Sequence, residues 1–177
     1  MINREDLSFL KVLQAEMLNQ ETDCQAAPRF WVLRQYEYEP TGEDWMDKYE
    51  YAHNDGDYSN FDDTEELVGF LRDYDLATEE EIKEIEDWNL EDAFEFVLDN
   101  LNEDRHFEKI PVVRVAKIIP NTLFLTKKAA KEHMKANHYH YNDTVHTYAM
   151  TAWRSPEVEN LFRIIENLDL EELERVI

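Results

Sequence analysis

The stretch NLEDAFEFVLDNLNEDRHFEKIPVVRVAKIIP, residues 89–120, contains both kinds of element from which the fold is built. From 90 to 101 apolar residues recur at every third or fourth position, which is the spacing of one buried helix face. Asn89 stands directly before this pattern, where a helix takes its N-cap. From 107 to 120 β-branched residues cluster, which favours a strand, and Pro111 indicates a sheet edge or a bend.

The same two patterns predict the elements on either side of this stretch. Aromatic and β-branched residues favour a strand at 29–39, and helices are predicted at 5–22 and from Thr64, Thr78, Lys127 and Pro156. The stretch 40–63 follows neither pattern clearly. Because the chain has only three Gly and no internal repeat, we predict a single domain, 1–177. We expect an α+β fold, helix-rich, with a small antiparallel sheet.

The composition predicts a soluble protein with a real core. Hydrophobic residues make up 43% of the 177 residues and aromatic residues 12%, which is too rich for a disordered chain. Cys24 is the single cysteine, so an internal disulfide is excluded. Residues 1–17 carry charges throughout and no stretch approaches the roughly 20 apolar residues of a membrane span. We therefore expect a cytoplasmic location.

The net charge of −23 is unevenly distributed along the chain. The acidic region 37–104 contains 26 Asp and Glu against three Lys and Arg, whereas the C-terminal module 105–177 is neutral to basic. Solubility needs a net charge of magnitude only about 2–8 in a small domain. The excess therefore favours a cationic partner and argues against binding phosphate backbones or membranes. The alternative is a solvated surface without a partner.

One candidate surface is a row of acids at helical spacing. These acids recur three or four residues apart, on the side opposite the apolar face: Glu80, Glu84, Asp87, Glu91, Glu95 and Asp99. Such a row can occupy a Lys and Arg groove that normally holds a nucleic acid. The segment HNDGDYSNFDDTEE, residues 53–66, adds six more carboxylates and no Lys or Arg. From this segment we predict partner contacts at Asp55, Asp57, Asp62 and Asp63.

The same segment also has a partial calcium-loop pattern. Oxygen-bearing residues stand at the ligand positions of an EF-hand counted from Asp55: Asp55, Asp57, Ser59, Asp63 and Glu66. Two departures weaken this pattern. Asn60 stands where the sharp turn requires Gly, and Asp62 stands where an apolar residue is usual.

A histidine cluster is the second alternative to the acidic surface. His133, His138, His140 and His146 lie close together in the sequence, and neutral imidazole is a zinc ligand. If 138–141 is extended, His138 and His140 share one face. No Cys lies nearby and no H-E-x-x-H motif occurs. Zinc is thus the one cofactor with any support, and otherwise none is expected.

Lysines on the helix before these histidines suggest a further use. Lys127, Lys128, Lys131 and Lys135 lie beside aromatic residues, as in a basic groove that binds nucleic acid. The same lysines can also simply balance acidic residues, and we prefer that interpretation, so direct nucleic-acid binding is not expected. The chain has no G-x-S-x-G motif and no Gly loop for phosphate, so we do not expect an enzyme.

The last third of the chain resembles a segment of small bacteriophage and prophage proteins, mostly without assigned function. The strings LTKKAAKEH, NHYHY and AMTAWRSPEVE carry this resemblance. The acidic half is similar in composition and size to phage inhibitors of host defence, including anti-CRISPR proteins and antirestriction DNA mimics. This similarity implies an inhibitor whose target is an RNA-guided or restriction nuclease with a basic channel, in a bacterial host. No site residues carry over from it.

Overall fold

The computed structural model describes residues 2–104 and 106–176, and helical residues outnumber strand residues among them. The helices are α1 (Arg4–Asn19), α2 (Thr64–Asp73), α3 (Glu79–Ile85), α4 (Leu90–Asn100), α5 (Lys127–Ala136), α6 (Pro156–Asn167) and α7 (Leu170–Val176). The strands are β1 (Arg29–Pro40), β2 (Lys48–Asn54), β3 (Tyr58–Phe61), β4 (Phe107–Ile118) and β5 (His146–Thr151). Short 3-10 helices cover Glu43–Trp45 and His138–His140. The predicted fold class, a helix-rich α+β fold with an antiparallel sheet, is confirmed.

The strands form one antiparallel sheet in the order β3-β2-β4-β1-β5. The edge position predicted for Pro111 is therefore wrong, because β4 lies between β2 and β1. The Asn54 N–H donates to the His106 carbonyl (2.9 Å), so these two residues form a hydrogen-bonded pair of the β2–β4 ladder. Hydrogen-bonded and non-hydrogen-bonded pairs alternate along an antiparallel ladder. By this alternation Pro111 stands at a non-hydrogen-bonded position, where its backbone groups point away from β2. On that other side the Pro111 carbonyl accepts from the N–H of Thr41, which directly follows β1 (2.8 Å). Because β1 has already ended at this point, the N–H that Pro111 lacks is not needed for pairing with β1.

The chain folds as two compact units. Tyr38–Val115 is called the acidic unit below, and Met1–Glu37 with Ala116–Ile177 is called the terminal unit. Strands β1 and β4 each run from one unit into the other. The acidic region predicted at 37–104 falls almost entirely within the acidic unit.

The core of the acidic unit is formed by α2, α3 and α4 together with side chains of β2, β3 and β4. Its larger buried members are Phe61, Leu67, Leu71, Ile82, Ile85, Phe94, Val97 and Phe107. Each helix contributes residues three or four apart, which is why the predicted apolar faces are the buried ones. Tyr51 of β2 packs on Phe94 with ring centroids 5.0 Å apart, so the sheet and α4 share one core.

The three helices of the acidic unit begin at the residues that the sequence indicates. Asp63 Oδ1 accepts from the N–H of Glu66 (2.9 Å) and Asn89 Oδ1 from that of Asp92 (3.0 Å). Thr78 forms the predicted capping box, in which its N–H donates to Glu81 (2.7 Å). That hydrogen bond holds the pKa of the Glu81 carboxyl below its usual range.

The terminal unit has a smaller core around β1, β5 and α5. Trp31 and Leu33 of β1 are fully buried and cluster with Ala130 of α5 and Ala149 of β5. Helix α1 contacts α6 and α7. Gln14 joins them through its Nε2, which donates to the carbonyls of Ile165 (2.8 Å) and Leu168 (2.9 Å) and so satisfies the end of α6.

Three local features differ from the predictions. The helix predicted at 5–22 ends at Asn19, and the unassigned stretch 40–63 contains the hairpin β2–β3. The extended conformation considered for 138–141 is wrong, because His138–His140 is a 3-10 helix. Local propensity does not select the hairpin, since β2 is stabilised by pairing with β4, and β3 by pairing with β2 and by burial of Phe61.

Candidate protein-interaction surface

Most of the negative charge of this protein lies in one of its two compact units. The acidic unit has 26 Asp and Glu against six Lys and Arg, a net of −20, whereas the terminal unit has 15 against 12, a net of −3. The unit therefore carries most of the repulsion that opposes its own folding.

Part of this acidity has a local structural use. The first turns of α2, α3 and α4 contain these acids: Glu65, Glu66, Glu79, Glu80, Glu81, Glu91 and Asp92. A negative charge near a helix N-terminus is stabilising, by about 0.3–1 kcal/mol at an exposed site. Most of the 26 acids lie elsewhere in the unit and have no such use.

Every acid predicted to contact a partner is exposed. They are Asp55, Asp57, Asp62, Asp63, Glu80, Glu84, Asp87, Glu91, Glu95 and Asp99. The structure distributes them over three places, namely the β2–β3 hairpin with the start of α2, the segment of α3 up to Asp87, and α4. Helices α3 and α4 contact each other, so the helical acids share one part of the unit.

A lysine of β4 forms ion pairs with two acids of the helical row. Lys109 Nζ forms ion pairs with Glu91 (3.2 Å) and Glu95, and it lies over the Tyr49 ring, 4.4 Å from the centroid. The hydrogen bond that Lys109 donates to Glu95 is the main reason that the pKa of Lys109 is raised. Two carboxylates of the row are thereby partly neutralised.

The other members of the row are not bound by Lys109. Glu80, Glu84 and Asp87 form no ion pair with any residue that the structure describes. The neighbouring Glu79 and Glu86 do, since both contact Arg72 at 3.2 and 3.5 Å. The unpaired acids are thus the ones that a cationic partner would meet without displacing an internal cation.

An open concavity next to these acids was not found by sequence reasoning. It measures about 580 Å³ and is lined by Asp87, Trp88, Asn89, Asp92 and Glu95. The Trp88 side chain is 40% exposed, and its ring packs edge-on against Phe96 with centroids 6.0 Å apart. An exposed indole among carboxylates suits a Lys or Arg side chain, because the ring face attracts a cation. The signal in the sequence was the Trp directly before the Asn89 cap.

The segment 53–66 does not form a calcium loop. The residues before it form strand β2 where an EF-hand has a helix, and Ser59 lies within β3, paired with His53. Asp63 caps α2 and Glu66 accepts from the Asp62 N–H (2.8 Å), so these carboxylates are used by the chain itself. The EF-hand pattern in the sequence was therefore produced by a hairpin followed by a capped helix.

The four histidines of the predicted zinc cluster have separate surroundings. His133 Nε2 is 2.9 Å from the Tyr141 hydroxyl. His146 Nε2 accepts from Arg34 Nε (3.1 Å), and its Nδ1 donates to the Thr144 carbonyl (2.9 Å). His138 and His140 are exposed on the 3-10 helix. Within the described ranges, no three His, Cys, Asp or Glu side chains converge as metal ligands.

Two of the lysines proposed for nucleic-acid contact are already paired. Lys127 binds Glu21 (2.5 Å) and Asp23 (2.7 Å), and its hydrogen bond to Asp23 is the main cause of its raised pKa. Lys128 binds Glu16 (3.0 Å). These partners lie in residues 16–23 and not in the acidic region, so the lysines balance nearby acids of their own unit.

Comparisons with known proteins give no further guide to this surface. No family model, curated protein or solved structure matches the chain. Among residues 2–104 and 106–176, no helix combines the length and apolar character needed to cross a membrane.

Proposed function

We propose that this protein is a non-enzymatic, phage-type inhibitor that binds a basic nucleic-acid-handling enzyme of host defence, such as a CRISPR or restriction nuclease. Its acidic unit occupies the channel in which the enzyme holds its nucleic acid. The observation that carries the proposal is the net charge of −20 within one compact unit, whereas the other unit has a net charge of −3.

The size of this charge supports a partner over a merely solvated surface. Solubility is met by a net charge of magnitude about 2–8. The seven acids in the first helical turns and the three ion-paired carboxylates outside those turns leave a large remainder. An unused field of this strength only destabilises the folded unit, whereas against a cationic groove it accelerates and strengthens association.

We place the contact with the partner at four residues, namely the unpaired acids Glu80, Glu84 and Asp87 and the neighbouring Trp88. All four side chains are exposed. Glu80 and Glu84 lie four residues apart on α3, about 6 Å along its axis, and Asp87 follows two residues after the helix ends. The three carboxylates thus form a row of negative charge, more widely spaced than the phosphates of a nucleic-acid strand at about 3.4 Å of axis each. Binding would release counterions from both surfaces and should weaken steeply with salt.

The test is capture from bacterial lysate on the immobilised protein, with elution by rising salt and identification of the eluted proteins by mass spectrometry. We expect nucleic-acid enzymes to elute late and to be displaced by a short DNA duplex. A captured nuclease is then assayed for DNA cleavage with the inhibitor present. The variant E80K/E84K/D87K should lose most of the inhibition, since it replaces three unpaired negative charges by positive ones.

The matched control is E157K/E159K/E172K, which changes the net charge equally on exposed helical positions of the terminal unit. We expect it to inhibit nearly as well as the unchanged protein. Urea unfolding of both variants separates a binding defect from a folding defect. Equal loss of inhibition in the two variants would show that only net charge matters, and unchanged inhibition in the first would exclude this face.

A further inference from the structure

A second concavity of the acidic unit lies where the chain passes from α4 to β4. It measures about 280 Å³, and its lining includes His53, Asn100, Glu103, Asp104, His106 and Phe107. This volume is at the low end for small-molecule sites, so a single side chain or a small ligand group is the size of occupant that it fits. Neither histidine belongs to the cluster at 133–146.

His53 is the buried polar group of this cavity. Its side chain is only 6% exposed and packs against Phe107 and Phe70, with ring centroids 4.6 and 4.9 Å away. Neither ring nitrogen forms a hydrogen bond with any residue that the structure describes, although the ring lines the cavity. Burial lowers the pKa of His53 and so favours the neutral ring, which keeps one nitrogen as an acceptor.

The other polar groups of the lining also offer acceptors. His106 Nδ1 lies 3.0 Å from the Asn54 carbonyl, which can only accept, so neutral His106 carries its proton there and leaves Nε2 open. Asn100 uses its Nδ2 on the Phe96 carbonyl (2.8 Å) and retains Oδ1. The carboxylates of Glu103 and Asp104 are exposed and make no ion pair within the described residues.

The wall of the cavity is held in place by Asn102. Its Nδ2 donates to the Phe107 carbonyl and its Oδ1 accepts from the Phe107 N–H, both at 2.9 Å. This closed pair ties the loop after α4 to the first residue of β4 and fixes the Phe107 ring against His53. The loop that contributes to this lining is therefore held to β4 by two hydrogen bonds.

The chemistry of this lining selects a cation with several N–H donors. A metal ion is not indicated, since no three ligand side chains converge here among the described residues. An anion would meet two carboxylates and a unit of net charge −20. A guanidinium has five donors in one plane, which matches a lining with several acceptors and two carboxylates.

We propose that this cavity is a receptor for one arginine side chain of the basic partner, with His53 and His106 as acceptors and Glu103 and Asp104 as counter-charges. This inference rests on the proposed function for the source of the arginine. The cavity's own affinity for a guanidinium can nevertheless be measured without any partner.

The experiment is a titration of the full-length protein with arginine amide at constant ionic strength and neutral pH, followed by the Cε1–H resonances of the histidines in NMR spectra. Citrulline amide, which keeps the α-ammonium group but has a neutral urea group in place of the guanidinium, is the matched ligand. We expect saturable shifts of the His53 and His106 signals with arginine amide, and none at His138 or His140. Shifts of equal size with both ligands, or shifts that do not saturate, would overturn the proposal.

Variants locate the site. H53F keeps an aromatic ring against Phe70 and Phe107 but removes the acceptor, and we expect arginine amide to bind about tenfold more weakly, as for the loss of one hydrogen bond to a charged group. H140F, on an exposed position of the terminal unit, should bind as the unchanged protein does. If H53F folds normally and binds unchanged, His53 is not an acceptor and the assignment is wrong. E103Q/D104N should also bind more weakly, and unchanged binding would remove the counter-charges from the proposal.

The outcome separates this inference from the proposed function. If arginine amide does not bind the cavity while E80K/E84K/D87K loses inhibition, the arginine receptor is refuted and the proposed inhibitor function is supported. A cavity that binds arginine amide while no basic enzyme is captured supports the receptor and refutes the function.

Discussion

Replacing Lys109 by Met should destabilise the acidic unit and at the same time strengthen its binding to a basic partner. Lys109 Nζ lies between Glu91 and Glu95 and above the Tyr49 ring, and the side chain is only 18% exposed. Met keeps most of the aliphatic contact with the ring and removes the charge. Two opposite effects are then expected from one substitution.

The size of the stability loss follows from these contacts. Both carboxylates are about half exposed, so each pair contributes only the screened value of about 0.2–1 kcal/mol. The cation–π contact adds about 0.5–1 kcal/mol, and the freed carboxylates repel each other at i, i+4 by about 0.2–0.5 kcal/mol. We expect K109M to lower the free energy of unfolding by about 1–3.5 kcal/mol at low salt.

Urea unfolding followed by circular dichroism measures this loss, at low salt and again in about 1 M NaCl, where the Debye length falls to about 3 Å. The loss should shrink at high salt. K83M is the matched control, since Lys83 is an exposed lysine of the same unit with no ion pair among the described residues, and it should lose under about 0.5 kcal/mol. Equal losses in K109M and K83M, or a loss that salt does not reduce, would refute the reasoning.

Three further outcomes are expected. Because burial lowers the pKa of His53, the unfolded chain binds more protons than the folded one between the folded pKa and about 6.5. Stability should therefore fall as pH drops below about 6.5, and urea unfolding across pH should show a shallower fall in H53F. T78A removes the capping box of α3 and should cost about 0.5–2 kcal/mol, whereas T41A, which removes no cap, should cost less in the same assay. Untagged protein should contain well under one equivalent of zinc by elemental analysis, because His133 and His146 already bond within the chain; a full equivalent would contradict this.

The local elements of the fold were predictable because their causes are local. Thr78 and Asn89 cap the helices that follow them, and the apolar spacing after Asn89 gives the buried face of α4. The hairpin β2–β3 was not predictable in the same way, because pairing with β4 stabilises it and β4 lies about 50 residues further along the chain.

The candidate surface, too, was predictable only in part. The concentration of acids in one contiguous region could be counted from the sequence alone, and that region is nearly the whole of one folded unit. Which of those acids remain unpaired could not be counted. Lys109 reaches Glu91 and Glu95 only because β4 runs beside β2 and its lysine faces α4.

The sequence by itself thus determined the helices, their caps and the uneven distribution of charge, since each depends on residues within a few positions of one another. Only the tertiary structure decided which charges face solvent unpaired, why the His53 ring lines a cavity without a hydrogen bond to any described residue, and why His133 and His146 bond to different partners. The physical reason is that ion pairs, burial and metal geometry depend on distances in space. Those distances are set by how strands and helices from different parts of the chain pack together.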